Sequence, residues 1–336
     1  MSLLQQNAKL LAVSRPVTFA AGERLVRQGE ATRGAFIIEA GFVEAQVAMP
    51  GGGMLTVAEL RDGDIFGEMA LIERGVCSAT VTARAEVRGW FVEREDFRAL
   101  LASRDPAALE LSRALTQVLA AKLRVLNAKV REHPAAEDRP ARKAAMVDLS
   151  HAGKPSFEWR PFLPLLRFFE GFEPADIDAV AAIGRALELP RDTALFVSGQ
   201  AAEACFLVVR GAVEVISTNG KVERRVAIAG PGELVGYLAA LDRTRHAASA
   251  RVREKACLLE LPASALAKLY EGKDSLAVKL QHAIHASLLR SLARTNNLLT
   301  RLISHARLSA RPTGSVELEA ALHGQLWRPE HNVNSS

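Results

Sequence analysis

Gly63-Asp64-Ile65-Phe66-Gly67-Glu68-Met69-Ala70-Leu71 is the most informative stretch of the chain, and its meaning comes from a partial copy of itself. Residues 63–83 read GDIFGEMALIERGVCSATVTA, and residues 232–252 read GELVGYLAALDRTRHAASARV. A second pair, FIIEAGFVEAQV at 36–47 and FLVVRGAVEVIS at 206–217, keeps the same order and nearly the same separation. An internal repeat longer than a hundred residues means two copies of one module. Within each copy, a glycine lets the backbone approach a ligand closely, and a short helix begun just after it aims free N–H groups at an anion.

The surroundings of both segments alternate between short strands and long helices. From Pro16 to Phe91, apolar residues recur at period two or in short buried runs between glycines, which predicts an all-β unit. A helix is expected at 95–102. After Asp105-Pro106, an N-cap and first-turn pair, a long helix runs to about Arg131 with Leu115, Leu119, Leu123, Leu126 and Val130 on one stripe. Residues 132–160 mix prolines, charges and small residues without a period and read as a linker. The second unit then repeats the order. A helical stretch over 161–184 leads into strands with a hairpin turn at Asn219-Gly220, a helix at 264–270 and a long helix from 275 to about 310. The expected layout is module A over 1–131, linker 132–160, module B over 161–311 and a short tail 312–336.

Composition narrows the class. The 336 residues are 49% hydrophobic and 24% charged, a globular balance that argues against disorder. Only 5% are aromatic, too few for rows of base-stacking rings. No apolar run reaches the roughly 18 residues of a membrane helix, so no membrane association is expected. The opening residues lack the pattern of a signal peptide, and Cys77, Cys205 and Cys257 lie far apart, which fits reduced, separate thiols in a cytoplasmic protein. The net charge of +5 permits an anionic partner without requiring one.

With GERLVRQGE at 22–30, the glycine-containing segments make both halves resemble the cyclic nucleotide-binding domain family, that of the catabolite activator protein and the regulatory subunits of cyclic-AMP-dependent kinase. The resemblance implies an α+β fold: two tandem double-stranded β-helix, jelly-roll-like modules, each followed by a long C-terminal helix. It implies cyclic AMP or cyclic GMP as ligand, with a glutamate on the ribose, backbone amides and one arginine on the phosphate, and the long helix over the base and at a homodimer seam. Carried onto module A, Gly67, Glu68, Met69 and Ala70 open the phosphate cassette, Glu68 takes the ribose, and Ser78 follows the arginine position. That position holds Cys77. Arg74, in the same loop, is the alternative cation. In module B, Gly236, Tyr237, Leu238 and Ala239 open the cassette, with Tyr237 in the ribose position. His246 holds the arginine position, between Arg245 and Ala247. Module A thus keeps the ribose clamp and loses the phosphate clamp, and module B is expected to do the reverse. Thr295 and Asn296 on the last helix stand where members of the family often present small polar groups to the base, or are polar residues in or beside a helix seam.

Other features carry less. His282 and His285 lie three apart on a helix without neighbouring carboxylates or cysteines and read as solvated, so no metal site is expected. Between Ser275 and Val316 there is no acidic residue, while Lys279, Arg290, Arg294, Arg301, Arg307 and Arg311 are basic, a solvated face or an anion-facing one. The residues after Ala310 are too few for a helix-turn-helix with its wing, which argues against sequence-specific DNA reading. Hydrolase, nucleotide-loop and dinucleotide fingerprints are missing, so no catalytic residues and no enzyme are expected. Two readings stand: a regulatory protein that senses a cyclic nucleotide and signals through a dimer or an unknown downstream protein, and a pair of degenerate modules serving as an interaction scaffold. A third, weaker reading has the basic last helix on DNA.

Overall fold

The computed structural model describes residues 13–48, 52–73, 75–132, 138–140, 149, 152–219 and 222–309, with side chains to 303. Arg74, Gly220, Arg311 and the expected tail lie outside these residues, and the side chain of Arg307 lies outside the described side chains. Module A is a β-roll of two four-stranded antiparallel sheets. One is ordered β1 (Ser14–Phe19), β8 (Val87–Glu93), β3 (Gly34–Ala40), β6 (Ile65–Phe66). The other is ordered β2 (Arg24–Val26), β7 (Thr80–Ala83), β4 (Val43–Ala48), β5 (Met54–Leu60). Helix α1 (Met69–Ile72) follows β6, and α2 (Arg94–Ala102) and the long α3 (Pro106–Glu132) follow the roll.

Module B repeats this with its two sheets joined. Strands β12 (Ala204–Asn219) and β15 (Ser249–Pro262) run through both layers, flanked by β10 (Arg185–Leu189), β11 (Ala194–Phe196), β13 (Val222–Ala229) and β14 (Leu234–Val235). Helices α4 (Pro174–Ala182), α5 (Tyr237–Asp242), α6 (Ala263–Tyr270) and α7 (Ser275–Ser309) complete it. The bends that let each roll change layer rest on glycine. Gly41 and Gly211 have φ of 116° and 85°, and a Cβ there would lie 2.4 Å from the Glu86 carbonyl and 2.5 Å from that of Lys255. The expected linker is partly sheet, because β9 (Arg139–Pro140) pairs with Val222 and Glu223 on the free edge of β13.

The two long helices begin alike. Asp105 Oδ1 accepts from the Ala107 N–H at 2.9 Å and Asp274 Oδ1 from the Ala277 N–H at 2.8 Å, so each carboxylate caps its helix. They then pack against each other in the same direction. His285 Nε2 on α7 lies 2.7 Å from Thr116 Oγ1 on α3 and 2.9 Å from the Ser112 carbonyl, while farther along Val130 of α3 clusters with Leu299 and Leu302 of α7. Thr116 and His285 are 169 positions apart, the same separation that relates Glu68 to Tyr237 and Cys77 to His246. Equivalent positions of the two modules therefore meet across the seam, and the chain forms a pseudo-two-fold dimer with itself.

The apolar stripe of α3 is packed within one chain, with Leu119 and Leu123 in one core with Leu288 and Leu292. One expectation is corrected. His285 is not solvated but buried in that seam. Its Nε2–H donates to the Ser112 carbonyl, Tyr270 donates to Thr116 Oγ1 at 2.6 Å, and burial pushes the imidazole down to about 3. His282 stays exposed. Leu288 is fully buried. Leu288→Ala should cost roughly 2–5 kcal/mol in denaturant unfolding, and the midpoint should not change with protein concentration. A concentration-dependent midpoint would place the seam between chains.

Candidate functional site

In module A, β6 delivers Phe66 and Gly67 to the start of α1, so that Glu68 and Met69 face a cavity of about 630 Å³. The roll supplies one side of this cavity through apolar residues such as Val26, Ala45, Val47 and Val81. The far side comes from both long helices: Lys122 and Val125 of α3, and Arg290 and Asn296 of α7. Ala70, Cys77 and Ser78 also line it. The cassette is anchored from behind by two arginines. Arg94, buried at the start of α2, donates to the carbonyls of Ala70 and Thr32, and Arg98 donates to that of Ile72 at 2.8 Å.

Glu68 is 3% exposed and its Oε1 lies 2.8 Å from Lys122 Nζ. The carboxylate expected to hold a ribose is thus tied to the helix that covers the cavity. Cys77 is held by its backbone, with its N–H on the Glu30 carbonyl at 2.8 Å and its carbonyl accepting from Gly29 at 2.9 Å. Partial burial and the nearby Glu30 raise its thiol pKa, so it is neither a cation nor an activated nucleophile at neutral pH. Cys205 and Cys257 are buried and pushed up to about 12 and about 11 by desolvation.

The corresponding space in module B is filled. The His246 ring stacks on Phe196 with centroids 3.6 Å apart and planes 9° apart. A Cβ on Gly236 would come within 2.8 Å of Phe196 and 3.0 Å of His246, so both rings press on the cassette start. Burial pushes His246 down to about 4, which leaves it neutral. Tyr237 is 5% exposed and burial pushes its phenol up to about 12; its hydroxyl lies toward Ser291, the counterpart of Lys122, and closes no hydrogen bond of ordinary geometry. Leu238 packs against the core and Ala239 is buried, while Ala247 is exposed.

The phosphate clamp expected of Arg245 and His246 is therefore not assembled. Arg245 is exposed, donates to the Gly199 carbonyl at 2.7 Å and borders a surface hollow with Arg124 and Asp242. Stacking of its neighbour His246 inward turns it outward. Of the two polar residues named on the last helix, Asn296 lines the cavity of module A and Thr295 is buried. The basic face of α7 is partly committed: Lys279 pairs with Asp176 at 2.6 Å and Arg294 with Glu233 at 2.7 Å.

Sequence reasoning placed Arg290 only on a basic helix face and missed Lys122 and Phe196. The last was readable by comparing the copies, because Phe196 ends β11 where Val26 ends β2, a small cavity-lining residue in one module and a cavity-filling ring in the other.

The family model for the cyclic nucleotide-binding domain matches residues 16–104 and again 186–273, more than half of the chain. The chain belongs to the cyclic nucleotide-binding domain family. It is 33% identical over 97 residues to the cAMP-dependent protein kinase regulatory subunit of Dictyostelium discoideum, covering 29% of each chain. It is 34% identical over 94 residues to the cyclic AMP receptor protein of Thermus thermophilus, covering 28% of this chain and 44% of that one. Each alignment thus spans less than half of the relative's length. Among solved structures, the regulatory domain of Toxoplasma gondii PKA with cAMP aligns over 80% of this chain and 87% of its own at 17% identity and a TM-score of 0.31. A cyclic nucleotide-binding domain from Methylobacillus flagellatus aligns over 38% and 71% at 22% identity and a TM-score of 0.36. Among the described residues no group of three or more potential ligands gathers for a metal, and no helix is long and apolar enough to cross a membrane.

The filled site of module B has a measurable signature. His246 refuses a proton that the unfolded chain takes up below about pH 6.5, so stability falls as the pH drops from there toward about 4. His246→Phe keeps the stack and removes the titration. Between pH 6.5 and 5 its unfolding free energy should fall less steeply than that of the wild type, by about one proton or ~1.4 kcal/mol per pH unit. An unchanged slope in urea titrations would place His246 in water.

Proposed function

We propose that this protein is a cyclic-nucleotide-responsive regulator in which module A takes the nucleotide and module B, its own pocket filled by aromatic rings, serves as a fixed partner for the covering helices. The observation that carries this reading is Glu68, a buried carboxylate at the wall of a cavity large enough for a small ligand, beside the cassette glycine and tied to α3 through Lys122. A ribose hydroxyl donating to Glu68 would compete with Lys122 for the same oxygens. Binding would then loosen one link between α1 and α3 while the ligand makes its own contacts with α3 and α7. A change in helix position at this seam is the output that a downstream protein would read, since a ligand shifts an equilibrium only through contacts that differ between two states. The regulatory and receptor proteins among the relatives support a binding role over catalysis.

The scaffold reading has one observation in its favour, the neutral Cys77 at the expected arginine position, which removes a charge-assisted bond to phosphate. Titration calorimetry with cyclic AMP and cyclic GMP separates the two. Heat of binding at micromolar to sub-millimolar nucleotide is expected. Glu68→Gln should weaken it roughly ten- to hundredfold, the worth of a hydrogen bond to a charged group, and Arg245→Ala should leave it unchanged. Silence with both nucleotides up to millimolar concentration would give the molecule to the scaffold reading.

A further inference from the structure

The cavity of module A holds a cation that no carboxylate has claimed. Arg290 is half-buried on α7, lines the cavity with Cys77 and Ser78, and donates to Ser287 Oγ at 3.0 Å. Among the described residues it forms no ion pair, whereas Lys122 in the same wall is held by Glu68, and Lys279 and Arg294 on the same helix each have a carboxylate. Burial and the neighbouring Arg167 disfavour its charge, while Glu233, which is paired with Arg294, and Glu73, which lines the same cavity, favour it without forming an ion pair with it. A guanidinium keeps its proton at neutral pH, so a partly desolvated one without an ion pair marks a place where an anion completes the site. The counterpart of Arg290 on α3 is Ala121, so the charge belongs to one module alone and points into the cavity of the other.

We propose that Arg290 meets the phosphate of a nucleotide held by Glu68, so that the charge absent from the cassette at Cys77 is returned from the long helix of the second module. This rests on the reading of module A as the nucleotide-binding unit. It makes the site a composite one: the roll of module A and α3 hold the sugar end, and α7 holds the anionic group. A planar guanidinium with donors left over beside its bond to Ser287 suits two phosphate oxygens at once. The arrangement also gives α7 a stake in ligand binding that the filled pocket of module B could not supply.

The test compares cyclic AMP with adenosine, which offers the same base and ribose without the phosphate, by calorimetry on the full chain. Wild-type protein should prefer cyclic AMP. Arg290→Met and Arg290→Gln, two helix-compatible changes checked by thermal unfolding, should each weaken cyclic AMP roughly ten- to hundredfold and leave adenosine unchanged. Adding Cys77→Arg to either should restore the preference. Equal loss for both ligands, or no loss for either, overturns the assignment. Binding of cyclic AMP by Cys77→Arg but not by the wild type overturns Arg290 alone, whereas silence of both proteins removes the nucleotide reading and this proposal together.

Discussion

The structure depends on the parallel packing of α3 against α7. The roll of module A buries Leu111 and Leu115 near the start of α3, but farther along Leu119 and Leu123 pack with Leu288 and Leu292, and Val130 with Leu299. Fusing two modules in one chain settles this without a second molecule, and the cost of bringing the helices together is a loop-closure term that grows only slowly with length. Once the helices meet at equivalent positions, the rest of the geometry follows. The cavity of module A is faced by both helices, so it is walled by module B as well as by its own module.

Equivalence of backbone does not mean equivalence of function. Where module A has Val26, Glu68, Cys77 and Lys122, module B has Phe196, Tyr237, His246 and Ser291. These substitutions are concerted. A ring at Phe196 closes the space, a neutral imidazole stacks on it, and a phenol and a hydroxyl replace a buried ion pair. Aromatic surface at the module B cassette buries apolar area in place of that ion pair, whereas module A retains buried charge that contributes little stability by itself. Cross-links reinforce the asymmetry. Arg124 and Gln117 of α3 bond Asp242 at the end of α5, and Arg224 of module B pairs with Asp138 and donates to the Val130 carbonyl of α3. The covering helix of module A is thus fastened to module B while its Lys122 reaches Glu68 at the cavity wall.

Much of this was legible in the chain. The repeated cassette and the repeated strand pair at 36–47 and 206–217 pointed to two rolls, and the stripe from Leu115 to Val130 predicted a seam. Periodicity could not say whose helix would fill that seam, because an apolar stripe looks the same whether its partner is a second chain or a second module. The site was legible at Glu68 and Cys77, which lie inside a local motif. It was illegible at Lys122, and for Arg290 and Asn296, both named on the last helix, the sequence did not show which cavity they line, since all three reach it only because α3 and α7 lie side by side. Arg245 misled for the opposite reason: its place in the motif was right, but the stack of His246 on Phe196 fills the space it was expected to serve.

One open pocket and one filled pocket in a single pseudo-symmetric chain is the central claim, and ligand stoichiometry measures it directly. Equilibrium dialysis of the full chain against labelled cyclic nucleotide should saturate at one nucleotide per chain. Saturation at two would show that the rings in module B give way to ligand and would contradict the assignment of distinct roles to the two copies.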